Sequence, residues 1–304
     1  MKARTFLLTT LTLIAFASNS LLCRAALKQT GIDAATFTSV RILSGAAALW
    51  IVMQFRRMGA NGATQNSTHS LEGNWLSALA LFVYAAGFSF AYNSLSAGTG
   101  ALLLFGAVQA TMIFWGIRQG ERLRLPQIAG LIVAVAGLVI LLIPGLSAPP
   151  IGGSLLMLGA GLAWGIYSLR GKTTRNATAA TAGNFVRAVP LALVASIATL
   201  PFVQLDGLGL VYAIISGTIT SGLGYIVWYS VLSDSNPMRL GPTSAATVQL
   251  SVPVLAATGG ILFLREPITL RYLLACLAVL GGIFLVVIEK KSPNATGSLE
   301  PGQT

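Results

Sequence analysis

Ten runs of apolar residues, each close to the length that crosses a bilayer, occupy most of the chain, and no segment between them could hold a soluble domain. A helix needs about 20 apolar residues to span the hydrocarbon core. The runs are Phe6–Leu22, Ala34–Phe55, Trp75–Ser94, Thr99–Ile117, Ile128–Ile143, Gly153–Leu169, Ala179–Leu200, Leu208–Val231, Ser244–Leu264 and Leu270–Ile288. Of the 304 residues 55 % are hydrophobic and 9 % charged, and the mean hydropathy is +0.78. A soluble domain carries roughly 25 % charge, so this chain cannot clothe a water-facing surface. The same composition excludes disorder, and two cysteines exclude a disulfide scaffold. Apolar residues are continuous within each run, where barrel strands would alternate. The expected fold is an all-α polytopic membrane protein with ten transmembrane helices.

Sidedness follows from the basic residues, which gather at the cytoplasmic ends of membrane helices. Sorting the 19 Lys and Arg residues by alternating loops puts 13 on one side and 4 on the other, with Arg41 and Arg187 inside helices. Both termini are expected in the cytoplasm. The net charge of +11 is thus a topology signal spread along the chain. A nucleic-acid partner would need it concentrated on one face, so none is expected. Lys2 and Arg4 before an apolar run resemble a signal peptide, but Ser18, Asn19 and Ser20 give no clean cleavage site. An uncleaved first helix is expected. His69 is the one histidine, so no histidine-rich metal site is expected.

The two halves repeat each other. Arg24 and Arg170 differ by 146 positions, as do Arg41 and Arg187. Gly87 and Gly224 differ by 137, as do Tyr92 and Tyr229; Glu121 and Glu266 differ by 145, as do Gly137 and Gly282. The change of offset falls in the loop Ser233–Pro242. The unit holds five helices, an odd number, so the second copy enters the membrane from the opposite side. This predicts two inverted repeats, residues 1–148 and 149–289, followed by a cytoplasmic disordered tail, 290–304. Inverted repeats supply the two mirror conformations of alternating access.

The second unit reads Tyr229-Ser230-Val231-Leu232, then Gln249-Leu250-Ser251-Val252-Pro253, then Leu264-Arg265-Glu266-Pro267-Ile268-Thr269, then Leu280-Gly281-Gly282-Ile283. The first reads Tyr92-Asn93-Ser94-Leu95, Gly120-Glu121-Arg122-Leu123 and Ala136-Gly137, with Val108 where the second has proline. In these motifs the chain resembles the drug/metabolite transporter superfamily, EamA type, over nearly its whole length. The resemblance implies ten helices, an inner-membrane location and export of small metabolites such as amino acids. The family's fourth helix contains a proline; the first unit departs from this at Val108, so the kink is not carried over to that helix.

Polar and aromatic residues in mid-helix are the candidate substrate contacts: Asn19, Tyr84, Gln109, Trp164, Tyr167, Tyr225, Trp228 and Gln249. An amide in lipid must find a partner, whereas the aromatic residues could instead form an interfacial belt. Pro253 bends its helix and frees a backbone carbonyl near Gln249. A charge deep in lipid costs roughly 2.5–3.5 kcal/mol on insertion scales, so Arg41 and Arg187 face the protein or snorkel. Either could touch a substrate carboxylate, act at a gate or link structural elements. Arg187 is assigned to the substrate site, Arg41 to a gating or structural role. Glu121 and Glu266 end the fourth helix of each unit and are assigned to gating or structure. No carboxylate falls near the bilayer centre, which argues against proton-coupled export of cationic drugs and for neutral or zwitterionic solutes.

No Walker-type loop, nucleophile elbow or zinc-helix motif occurs, so no ATP drive, cofactor, metal or catalytic residue is expected. Gly161-x-x-x-Gly165 and Gly281-Gly282 permit close helix contact, within one subunit by default, with a homodimer as the alternative. The partners expected are the bilayer and a small-molecule substrate. The reading is a secondary transporter; a channel, a multidrug carrier and a membrane enzyme or sensor are the alternatives.

Overall fold

The computed structural model describes residues 3–59, 72–120, 122–145, 148–171, 174, 176–232 and 248–288. Glu121, Ser233–Pro242 and the tail from residue 290 lie outside the described residues. Among the described residues every regular element is helical. The helices are α1 (Ala3–Gln29), α2 (Ala34–Gly59), α3 (Trp75–Tyr92), α4 (Ala97–Arg118), α5 (Leu125–Leu142), α6 (Ile151–Gly171) and α7 (Ala177–Ala198). The span α8 is continuous but composite: Gly207–Ile215 is α-helical, Ser216–Leu223 is π-helical and Gly224–Leu232 is α-helical again. Then come α9 (Ser251–Leu264) and α10 (Leu270–Ile288). Eight of these spans are long and apolar enough to cross a membrane, and α9 and α10 are shorter apolar helices.

Helix starts follow local chemistry. Asn74, Ser96, Asn176 and Asp206 precede α3, α4, α7 and α8, and each side chain accepts a first-turn N–H at 2.8–3.3 Å. These caps satisfy donors that the helix leaves open. Asp33 plays the same part for α2, accepting from the backbone of Ala35 and Thr36 and from Gln204 N–H, all at 2.9 Å. Partial burial raises its carboxyl, but the hydrogen bonds from Gln204 and Thr36 outweigh it and hold the group below its usual value. This link is therefore present above the ordinary aspartate range and is lost as pH falls through the lowered value.

The first helix runs past its expected end at Leu22 to Gln29, which places Arg24 and Lys28 on helix. That is stable because Arg24 finds internal partners, described below. Arg265 closes α9 in the left-handed region, at φ 53°, and its neighbour Glu266 turns its N–H back to Gly260 O at 3.0 Å.

Packing is inverted relative to a soluble protein: large apolar side chains such as Ile132, Val139, Leu155, Val194 and Leu277 are exposed. On α5 the buried residues are Gln127, Gly130, Ala134, Gly137 and Leu141. That spacing of three and four is one helical stripe, and it meets α10. A Cβ on Gly130 would lie 2.5 Å from Gly282 O, and one on Gly282 2.4 Å from Gly130 O. Gly161 and Gly165 likewise admit α4, at Leu104 O and Thr111. Such backbone approach replaces the hydrophobic drive that lipid does not supply. The other principal neighbours are α3 with α6, α1 with α8, α4 with α6, α1 with α9, α2 with α8, α3 with α7, α2 with α7 and α4 with α9.

Candidate functional site: a buried arginine among aromatic rings

The polar residues of the interior converge on Arg41. Its side chain is 1 % exposed. Nε donates to Ser221 Oγ at 3.0 Å, and Nη2 donates to the hydroxyls of Tyr84 and Tyr225 at 3.1 and 2.9 Å. The guanidinium also lies 5.2 and 5.1 Å from the ring centroids of Tyr84 and Phe88, within cation–π range. Asn19 extends the network: its amide nitrogen donates to Tyr84 at 3.2 Å, and its oxygen accepts from Ser216 at 2.7 Å and Thr220 at 3.0 Å.

The π-helical stretch makes this convergence. Ser216 and Ser221 both lie in this stretch, and one reaches Asn19 while the other reaches Arg41. Gly217 sits between them against α2; a Cβ there would stand 2.2 Å from Arg41 O and 2.1 Å from Ser44 Oγ. Only a glycine lets the two backbones come this close.

Aromatic rings enclose the network. Trp164 lies 4.8 Å from Tyr84, 4.7 Å from Tyr225 and 5.5 Å from Phe16, centroid to centroid. Phe16 carries the contact on to Trp228 at 5.6 Å. Tyr167 borders the group at 5.5 Å from Trp164, and Phe185 at 6.0 Å from Tyr225. These spacings suit edge-to-face and tilted packing.

Of the candidate contacts, Asn19, Tyr84, Trp164, Tyr167, Tyr225 and Trp228 are brought together here. Trp228 is completely buried, not interfacial. Gln109 on α4 and Gln249 just before α9 are also buried. Pro253 stands in the first turn of α9, after a break at Leu250, and its own carbonyl lies 3.5 Å from the Tyr272 hydroxyl. The two arginines have diverged: Arg41 occupies the centre, whereas Arg187 is half-buried and donates to Glu72 O at 3.0 Å and Gly183 O at 2.9 Å. Arg187 thereby ties the segment before α3 to α7, away from the Arg41 network. Phe16, Phe88, Ser216, Thr220 and Ser221 complete the site without having been singled out. The Ser216-x-x-x-Thr220-Ser221 cluster in the middle of a span was the available signal.

At the end of the bundle where α1 finishes, Arg24 and the partly buried Glu266 form an ion pair. Nε meets Oε1 at 2.8 Å, with the side chains 8 % and 13 % exposed. Arg24 also donates to Tyr92 O at 2.7 Å, and Glu266 Oε2 accepts Ala97 N–H at 2.8 Å. The pair joins α1, the α3–α4 turn and the α9–α10 turn. A cavity of about 370 Å³ opens beside it, lined by Arg24, Lys28, Arg265, Glu266 and Tyr272 among others.

Residues 151–288 match the model of the EamA-like transporter family. A protein of Pseudomonas aeruginosa, named only as uncharacterized, is 52 % identical over 287 residues, covering 94 % of this chain and 96 % of the relative. Two uncharacterized transporters of Archaeoglobus fulgidus are also similar. One is 28 % identical over 64 % of this chain and 70 % of its own length, the other 24 % identical over 95 % and 99 %. A solved crystal structure at 16 % identity superposes with a TM-score of 0.64 and covers 96 % of this chain and 99 % of its own, a likeness of fold. With apolar spans throughout, a matching family model in its second half and a relative sharing half its residues end to end, this multi-pass membrane protein belongs to the EamA-like transporters, the EamA-type permeases of the drug/metabolite transporter superfamily.

Proposed function

We propose that the chain is a secondary carrier that exports small amphipathic metabolites, amino acids among them, by alternating access of two inverted five-helix units. The units are residues 1–148 and 149–289, with both termini in the cytoplasm and the protein in the inner membrane. The observation that carries this reading is the composition of the Arg41 network. It takes Asn19, Arg41 and Tyr84 from α1–α3, and Ser216, Thr220, Ser221 and Tyr225 from α8. A rocking of one unit on the other opens or closes such a site directly.

The packing supports the same reading. Exchanging α1–α5 for α6–α10 turns the α3–α6 contact into α8–α1, α4–α6 into α9–α1, and α2–α8 into α7–α3; α2–α7, α4–α9 and α5–α10 map onto themselves. Two units related by a pseudo-twofold axis would have this pattern of neighbours, which supports the reading.

The test is a stabilisation screen of the purified protein against metabolites, since a ligand raises apparent stability by mass action. Counterflow of the hits in proteoliposomes follows. Saturable counterflow is the expected result; unsaturable flux means a channel, and turnover in detergent means an enzyme. Trp164→Ala and Gln249→Ala are expected to impair counterflow while leaving expression intact, and unchanged kinetics in both would remove these residues from the site. A reporter fused after Lys291 is expected to be active only in its cytoplasmic form. An external signal overturns the topology.

A further inference from the structure

We infer that the central site holds its ligand by a carboxylate, and therefore selects organic anions with a compact apolar or aromatic body over the matching alcohol or amine. The inference rests on the carrier reading above and names the group that the carrier grips.

The argument begins with charge. A guanidinium stays protonated in any protein environment, so Arg41 carries a full positive charge in the interior of the bundle. Its hydrogen bonds go to three hydroxyls, all neutral acceptors. Among the described residues no carboxylate pairs with it; the ion pair present there is Arg24–Glu266. Buried charges are ordinarily matched by an opposite one. The same chain does this at Arg24, with a glutamate and two main-chain carbonyls. At Arg41 it leaves the match out.

Unused donors mark the place. Arg41 Nη1 is buried and has no hydrogen-bond partner, and the same holds for the indole nitrogens of Trp164 and Trp228. Both indoles pack on Phe16. All three atoms can only donate. An acceptor with negative charge would satisfy Arg41 Nη1, and a carboxylate matches the planar guanidinium edge. An ammonium group meets the like charge of Arg41. The apolar body would lie among Phe16, Tyr84, Phe88 and Trp164, whose rings close on one another in this structure. In this structure Tyr84 and Tyr225 occupy Nη2 as weaker, neutral acceptors.

A separate cavity, beside the Arg24–Glu266 pair, is charged in the same sense. The 370 Å³ cavity beside α1 carries Arg24, Lys28 and Arg265 against the single carboxylate of Glu266. A concave surface of one sign concentrates ions of the other.

The experiment uses the purified full chain in detergent at neutral pH and four probes of one shape: phenylacetate, 2-phenylethanol, phenethylamine and phenylalanine. Binding is read by tryptophan fluorescence, with Trp164 and Trp228 at the site, and by thermal unfolding. Phenylacetate is expected to bind saturably, with the alcohol and the amine weaker by roughly tenfold or more, the difference a charge-assisted hydrogen bond makes. Phenylalanine falls between. Arg41→Gln is expected to erase the preference for phenylacetate over 2-phenylethanol. Should that variant not fold, the ranking on the unaltered protein decides alone. Equal or tighter binding of the alcohol or amine overturns the inference, as does a failure of phenylacetate to bind. Counterflow separates the two readings. Saturable exchange of another solute without this ranking leaves the carrier standing and the carboxylate grip refuted. Phenylacetate binding without its counterflow does the reverse.

Discussion

Replacing Glu266 by alanine is expected to cost the protein about 1–3 kcal/mol, the penalty for leaving the buried donors it served unsatisfied. The loss is large because Glu266 serves two clients. Its Oε1 neutralises Arg24 and its Oε2 caps the N–H of Ala97 at the start of α4. With the carboxylate gone, Arg24 keeps only the carbonyls of Tyr92 and Asn93. Replacing both members, Arg24→Met with Glu266→Leu, is expected to cost less than the single change, because no buried charge is then stranded. Thermal unfolding in detergent measures both, and an unaltered midpoint for Glu266→Ala refutes the assignment. The pair also joins three segments at one end of the bundle. Its removal is therefore expected to loosen that end, and a cysteine at Ser94, on the wall of the adjoining cavity, is expected to react faster with a maleimide in Glu266→Ala than in the parent.

Gly217→Leu is expected to abolish ligand binding and to destabilise by about 1–3 kcal/mol or more, the range for overfilled packing. The obstruction is main chain: the new Cβ would sit 2.2 Å from Arg41 O, and backbone cannot rotate aside as a side chain does. Moving α2 from α8 would part Arg41 from Ser221 and Tyr225 together. The contrast is Gly281→Leu. A Cβ at Gly281 meets nothing within 4 Å, so the change is expected to be neutral or to stabilise by up to about 1 kcal/mol, the cost of a glycine in a helix interior. Equal stability of the two variants, by thermal unfolding, removes the close approach at Gly217 as a cause.

The helices were legible because lipid demands unbroken apolar runs, and the interior candidates because polar or aromatic groups in such runs need a reason. Asn19, Tyr84, Trp164 and Tyr225 met that criterion and converge on Arg41. What distinguished Arg41 from Arg187 was not legible. The two lie 146 positions apart, the same offset as Arg24 and Arg170, and only the folded contacts give one the Glu72 and Gly183 carbonyls and the other three hydroxyls. Glu266 was marked, but its partner Arg24 lies 242 positions away, and no local pattern announces such a pair. Gly281 and Gly282 read alike in sequence; only the helix rotation decides that Gly282 meets α5 while Gly281 faces open space. The π-helical stretch left no trace, since serine, glycine and threonine suit either winding.

That stretch gives α8 a spare residue between two regular ends. A widened turn can migrate along a helix one step at a time, each step exchanging one i→i+5 bond for an i→i+4 bond. One such step turns the side chains it passes by about 100°, the advance per residue of a 3.6-residue turn, while both ends of the span stay anchored. Tyr225, one residue beyond Gly224, would swing off Arg41 without any rigid-body displacement of α8.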